Sequence, residues 1–108
     1  MRWRVPTSDN VLRIARAQIE VARAQSKPWF QWIHLYDPHR WRRDRKDYER
    51  LVGYVDREIG RFHKWLEDTH QLDNTVIALI ADHGEAFGEH GHERHGTSLY
   101  EEQIRVPL

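Results

Sequence analysis

Apolar positions in this chain fall into two helical stripes and two short unbroken runs. Val11, Leu12, Ala15, Ile19 and Ala22 recur at helical spacing with Arg and Gln between them, after Thr7-Ser8-Asp9-Asn10, a cluster of residues that favour helix starts. Lys27-Pro28 ends that helix. The longer stripe is Tyr48, Leu51, Val52, Val55, Ile59, Phe62 and Leu66, one face of a long amphipathic helix that fades near Asp68-Thr69. Leu72-Asp73-Asn74 is a turn. Between the helices, Trp29 to Leu35 is rich in aromatic and β-branched residues and predicts a short strand. Tyr36-Asp37-Pro38-His39 closes it and places His39 just past its carboxyl end. Arg40 to Lys46 is a basic loop that runs into the second helix. Thr75 to Ala81 is continuously apolar, as expected of a strand buried on both faces in a parallel sheet. Asp82-His83-Gly84 follows at once, then a Gly- and His-containing loop to Gly96. Ser98 to Gln103 predicts a short helical turn, and Arg105 to Leu108 the start of another strand.

The order helix, strand, helix, strand predicts a right-handed crossover in an α/β sheet. Two or three strands make a poor sheet, so the 108 residues read as part of a domain. Composition narrows the classes. With 17 Lys+Arg against 17 Asp+Glu, the chain lacks the basic excess of a general nucleic-acid binder. Without Cys it has no disulfide, thiolate metal site or cysteine nucleophile. No apolar run is long enough to span a membrane, and Met-Arg-Trp-Arg-Val-Pro lacks the apolar core of a signal peptide. Eight His residues are the unusual count, and they concentrate interest on the loops.

Ligands of open α/β sheets collect outside the carboxyl ends of strands. His39 follows the first predicted strand, and Asp82 and His83 follow the second. A carboxylate oxygen beside an imidazole nitrogen suits Zn²⁺ or Mn²⁺, and Gly84 lets the backbone turn sharply there. The same pair could equally be a cap or a loop hydrogen bond. His90-x-His92-x-x-His95 does not reproduce a helical zinc motif, and spacing alone leaves a polar surface loop open.

Asp82-His83-Gly84-Glu85-Ala86-Phe87-Gly88-Glu89-His90-Gly91, followed by His95-Gly96-Thr97-Ser98-Leu99-Tyr100-Glu101-Glu102-Gln103-Ile104-Arg105-Val106-Pro107-Leu108, closely resembles the sulfatase family of the alkaline phosphatase superfamily. Upstream, Trp29-Phe30 through Leu35-Tyr36-Asp37-Pro38-His39 resembles the family's strand leading to an active-site histidine. Tyr54-Val55-Asp56-Arg57-Glu58-Ile59-Gly60-Arg61 resembles the helix that follows. The resemblance covers about residues 28 to 108, and residues 1 to 27, an N-terminal helix, match weakly. It implies a partial three-layer α/β/α sandwich with a mostly parallel sheet, and a metal-dependent sulfuric ester hydrolase acting on a sulfate-ester small molecule or sulfated glycan. Asp82 and His83 take the positions of two metal ligands. His39 matches the histidine that contacts the sulfate and leaving-group oxygens, and His95 stands where many members place a sulfate-binding lysine. Calcium is the first expectation for the metal. The imidazole of His83, where many sulfatases have Asn, resembles sister enzymes that use manganese or zinc.

Two departures shape the expectation. The Cys/Ser-x-Pro-x-Arg motif that yields the formylglycine nucleophile is not in the chain, since Ser8, Ser26 and Ser98 all lie in other contexts. The pair of metal-binding Asp residues that precedes the nucleophile in the family is also missing. The chain thus reads as the later part of a catalytic domain, a fragment inactive alone, whose partner is the missing remainder. One alternative within the superfamily is a phosphoester hydrolase or phosphoethanolamine-type transferase, which His83 and His95 favour. The other is a catalytically inactive truncated product or binding remnant. The family is often exported or membrane-associated, which these residues do not address. His90 and His92 read as polar loop residues, His34 as packed, His63 and His70 as solvated, Asp56 as structural, and the Trp residues as packing. The basic run from Arg40 to Lys46 reads as a solvated loop or as an attractor of a polyanionic substrate.

Overall fold

A computed structural model describes residues 6–108. The reading of the extreme N-terminus as no signal peptide falls mainly on residues outside these. The described chain divides after Asp73 into two compact units. Among the described residues, no helix is long and apolar enough to cross a membrane.

The first unit holds both long helices. Helix α1 spans Ser8–Ala24 and buries Leu12, Ala15 and Ile19, which lie on one face as the apolar stripe requires. Thr7 stands at its N-cap without a side-chain cap bond. The first amide, which has no partner within the helix, is met from a distance instead, because the buried Asp37 carboxylate accepts from Ser8 N at 2.8 Å and from Ser8 Oγ at 2.5 Å. An acid at a helix N-terminus is favoured by both the free N–H groups and the helix dipole. Helix α2 spans Arg45–Asp68, with Asp44 as N-cap accepting from Asp47 N at 2.9 Å. Asp47 reaches back to Arg42 N at 2.8 Å, so the basic loop is fastened where it enters the helix. Leu66 is fully buried and Trp41, in the loop before α2, nearly so; Trp41 is therefore a packing residue.

The second unit is small and mostly irregular. Two-residue strands β1 (Ala86–Phe87) and β2 (Glu93–Arg94) pair antiparallel, with Ala86 opposite Arg94 and Phe87 opposite Glu93. Between them Gly88 adopts φ 103° and His90 φ 53°, which turns the chain back. Helix α3 spans Glu101–Ile104, overlapping the helical turn expected over Ser98 to Gln103 but starting three residues later. Only Glu85, Ala86 and Gln103 are buried in this unit, so polar ties rather than an apolar core hold it.

The architecture is mixed, and the expected parallel sheet is not among what the described residues show. The only sheet among the described residues is the two-stranded antiparallel one, which lies inside the span read as a loop. Trp29 to Leu35, Thr75 to Ala81 and Arg105 to Leu108 form no ladder. A strand is completed by a hydrogen-bonded neighbour about 4.8 Å away, and the one ladder among the described residues is β1–β2. The expected two-sided burial of Thr75 to Ala81 is likewise unmet: Val76 is 96% exposed, and Ile77, Leu79 and Ile80 are also exposed.

Candidate active-site loop

The second unit brings two of the sequence-singled histidines together. The imidazoles of His83 and His95 stack with centroids 4.0 Å apart and planes 27° from parallel. They offer ring nitrogens within 4.8 Å of one another, close enough to serve one cation or one anionic oxygen. Each ring is held through Nδ1. In His83, Nδ1 lies 2.8 Å from the Gly84 carbonyl oxygen. A carbonyl only accepts, so Nδ1 carries the hydrogen and Nε2 keeps its lone pair. That Nε2 is 3.8 Å from Asp82 Oδ2. In His95, Nδ1 lies 3.1 and 3.3 Å from the two oxygens of Glu85, whose side chain is buried. Asp82 is exposed, and its Oδ1 accepts from His83 N at 3.1 Å.

The backbone around this pair is tied by one buried residue. Gln103 accepts at its carbonyl from Gly84 N at 2.8 Å, and its Oε1 accepts from Thr97 N and Ser98 N at 3.3 Å each. Its Nε2 donates to Thr97 Oγ1 at 3.3 Å. Gln103 therefore fastens the residue after His83 and the residues just past His95. At Gly84 a Cβ would collide with the Glu102 carbonyl oxygen, so this approach requires glycine.

The remaining loop histidines lie against Tyr100. His90 stacks on Tyr100 with centroids 3.9 Å apart and 11° between planes, and its Nδ1 lies 3.0 Å from Glu102 Oε1. That hydrogen bond holds the Glu102 carboxyl below the usual carboxylate range. His92 sits against Tyr100 at 5.9 Å.

His39 lies in the first unit, on the 3₁₀ turn Asp37–Arg40, where its ring meets that of Tyr36 at 4.6 Å. The turn is anchored by Asp37, which binds Ser8 and pairs with Arg40 at 3.6 Å. His39 itself is exposed. Asp37, Ser8, Glu85 and Gln103 were not singled out from sequence as anchors of these histidines. Their partners lie 5 to 29 residues away, beyond the reach of local pattern.

The Sulfatase family model matches residues 6–108, nearly the whole chain. The chain belongs to the sulfatase family. It is similar to iduronate 2-sulfatase of Mus musculus, 40% identical over 67 residues that cover 62% of this chain and 12% of that protein. It is similar to N-acetylglucosamine-6-O-sulfatase of Bacteroides thetaiotaomicron, 43% identical over 63 residues, 58% of this chain and 11% of that protein. Multifunctional alkaline phosphatase superfamily protein PehA of Trinickia caryophylli is 36% identical over 67 residues, 62% of this chain and 13% of that protein. The matched segment is thus a small part of each relative's length. No solved structure matches.

Sulfatases are in general metal-dependent, and the donor set of the loop fits a divalent cation. Asp82 offers carboxylate oxygens, and His83 offers an Nε2 lone pair freed by the Gly84 bond. A backbone acceptor on the opposite ring nitrogen is the usual support of a metal-binding histidine.

Proposed function

We propose that these residues are the later part of a sulfatase catalytic domain, and that the whole protein hydrolyses sulfate esters. The family match over residues 6–108 carries this reading. Several relatives are named as sulfatases, which supports it. The exposed apolar runs support the partial-domain reading. Phe30 and Trp32 at 84% and 83% exposure, with Val76 to Ile80, are strand-like segments whose cover lies elsewhere. In the whole protein they would belong to a mostly parallel sheet within an α/β/α sandwich.

In this reading Asp82 and His83 hold the cation, which supplies positive charge to the sulfate oxygens when bound. Calcium is the family's first expectation; the His83 nitrogen favours manganese or zinc. His39 and His95 contact the ester. An N–H of His39, or the Nε2–H of a protonated His95 ring whose Nδ1–H faces Glu85, aimed at an oxygen that gains charge stabilises the transition state more than the ground state. The attacking oxygen belongs to a formylglycine expected in a segment outside these residues. The names of two relatives point to sulfated sugars as the substrate class. The basic run Arg40 to Lys46 would raise the encounter rate of such polyanions.

The test is sulfate release from an aryl sulfate by the whole protein. Wild type turns over, and His39→Ala loses about 10²–10³-fold in kcat, the usual cost of removing one such donor. Undiminished turnover in His39→Ala would remove His39 from the site. A phosphoester reading is favoured by one observation, the paired imidazoles of His83 and His95 where oxygen and ammonium donors are commoner in sulfatases. Cleavage of a bis-aryl phosphate in preference to the aryl sulfate would establish it.

A further inference from the structure

The hairpin explains how His95 is aimed. Strands β1 and β2 set Ala86 opposite Arg94. One step further along the same register, Glu85 falls opposite His95. The chain thereby delivers a buried carboxylate to the edge of that imidazole. The Glu85 side chain is 3% exposed, whereas the His95 side chain keeps 25% of its surface. Both carboxylate oxygens lie within 3.3 Å of Nδ1.

The geometry points to Glu85 as the positioning residue of His95, holding hydrogen on Nδ1 so that the lone pair of the neutral ring stays on Nε2. A carboxylate accepts and does not donate, so the atom facing it must carry the hydrogen. This fixes both the tautomer and the rotation of the ring, as a carboxylate does behind a catalytic or metal-bound histidine. The same outcome is reached at His83 by a different acceptor, the Gly84 carbonyl. The two stacked rings therefore keep the lone pair on the same nitrogen. A flexible lysine needs no such support, because its ammonium donates in any rotation. A histidine at this position does, since the wrong tautomer offers hydrogen where an acceptor is required, or the reverse. The contribution to ester cleavage rests on the sulfatase reading; the tautomer does not.

The experiment is ¹⁵N NMR of the full chain labelled at histidine, at a pH roughly two units above the ordinary histidine pKa so that the rings are neutral. Wild-type His95 is expected to show hydrogen on Nδ1. Glu85→Gln, whose amide oxygen still accepts, keeps that tautomer. Glu85→Leu moves the hydrogen largely to Nε2. Hydrogen on Nε2 in the wild type overturns the proposal without any variant, and so does an unchanged tautomer in Glu85→Leu. If Glu85→Leu does not fold, the wild-type and Glu85→Gln spectra decide the matter alone. In the active whole protein, Glu85→Leu lowers kcat/KM about 10–100-fold while Glu85→Gln retains most of it. A retained tautomer effect in a protein without sulfatase activity would refute the functional reading and leave the positioning intact.

Discussion

Gly84→Ala probes the tie between the histidine loop and α3 most sharply. The new Cβ would run into the Glu102 carbonyl oxygen and come within 3.1 Å of its carbon, and backbone atoms cannot swing aside as a side-chain tip can. Forcing a methyl into a closed contact costs about 1–3 kcal/mol. The shift also stretches the 2.8 Å bond from Gly84 N to Gln103 O, a further ~1 kcal/mol. The sum is roughly 2–4 kcal/mol, or about 30- to 1000-fold in the local opening equilibrium at ~1.4 kcal/mol per decade. Amide hydrogen exchange reads this directly, because the Thr97 and Ser98 amides are held by the Gln103 side chain. Their protection should fall by that factor, together with the His83–His95 ring contact. Gly60→Ala is the control: a Cβ there meets nothing within 4 Å, and α2 should gain about 1 kcal/mol. Unaltered protection at Thr97 and Ser98 in Gly84→Ala would refute the idea that close backbone approach shapes the site.

Asp37→Ala removes the acceptor that meets two donors of Ser8, and should destabilise the first unit by about 2–4 kcal/mol in urea unfolding. Because the His90 bond lowers the Glu102 carboxyl, that contact stabilises the loop above the unfolded value and is lost as pH falls through the folded one. The Glu102 side-chain carboxyl resonance should therefore titrate below the ordinary glutamate value; titration at or above that value would contradict it. For the cation, Mn²⁺ or Zn²⁺ should bind the whole protein more tightly than Ca²⁺ where the His83 nitrogen ligates, and His83→Asn should narrow that preference in calorimetry. Unchanged selectivity in His83→Asn would take His83 out of the metal site.

The two long helices were legible because their apolar stripes are local and periodic. Leu12, Ala15 and Ile19 are buried where the period puts them. The strands were read as segments, but pairing is a long-range property that local pattern does not carry, and the ladder formed among the described residues is β1–β2. The β1–β2 hairpin escaped the reading because two-residue strands carry no alternation to detect; its signal was the turn chemistry of Gly88 to Gly91. His39, Asp82 and His83 were singled out by their place after predicted strands, and their roles, with that of His95, came from resemblance. The structure stacks His83 on His95 and sets His39 on the Asp37–Arg40 turn. Glu85 and Gln103 were hidden for a physical reason. Their roles arise only when the hairpin and α3 close a loop, and Gln103 acts as much through its carbonyl as its side chain.

The central claim is that this loop serves sulfate-ester hydrolysis. The most direct measurement is kcat/KM of the whole protein for an aryl sulfate and a bis-aryl phosphate in one preparation, with His95→Ala alongside. The account predicts preference for the sulfate, lost about 10²–10³-fold in His95→Ala. Preference for the phosphate, or sulfate turnover indifferent to His95, would contradict it.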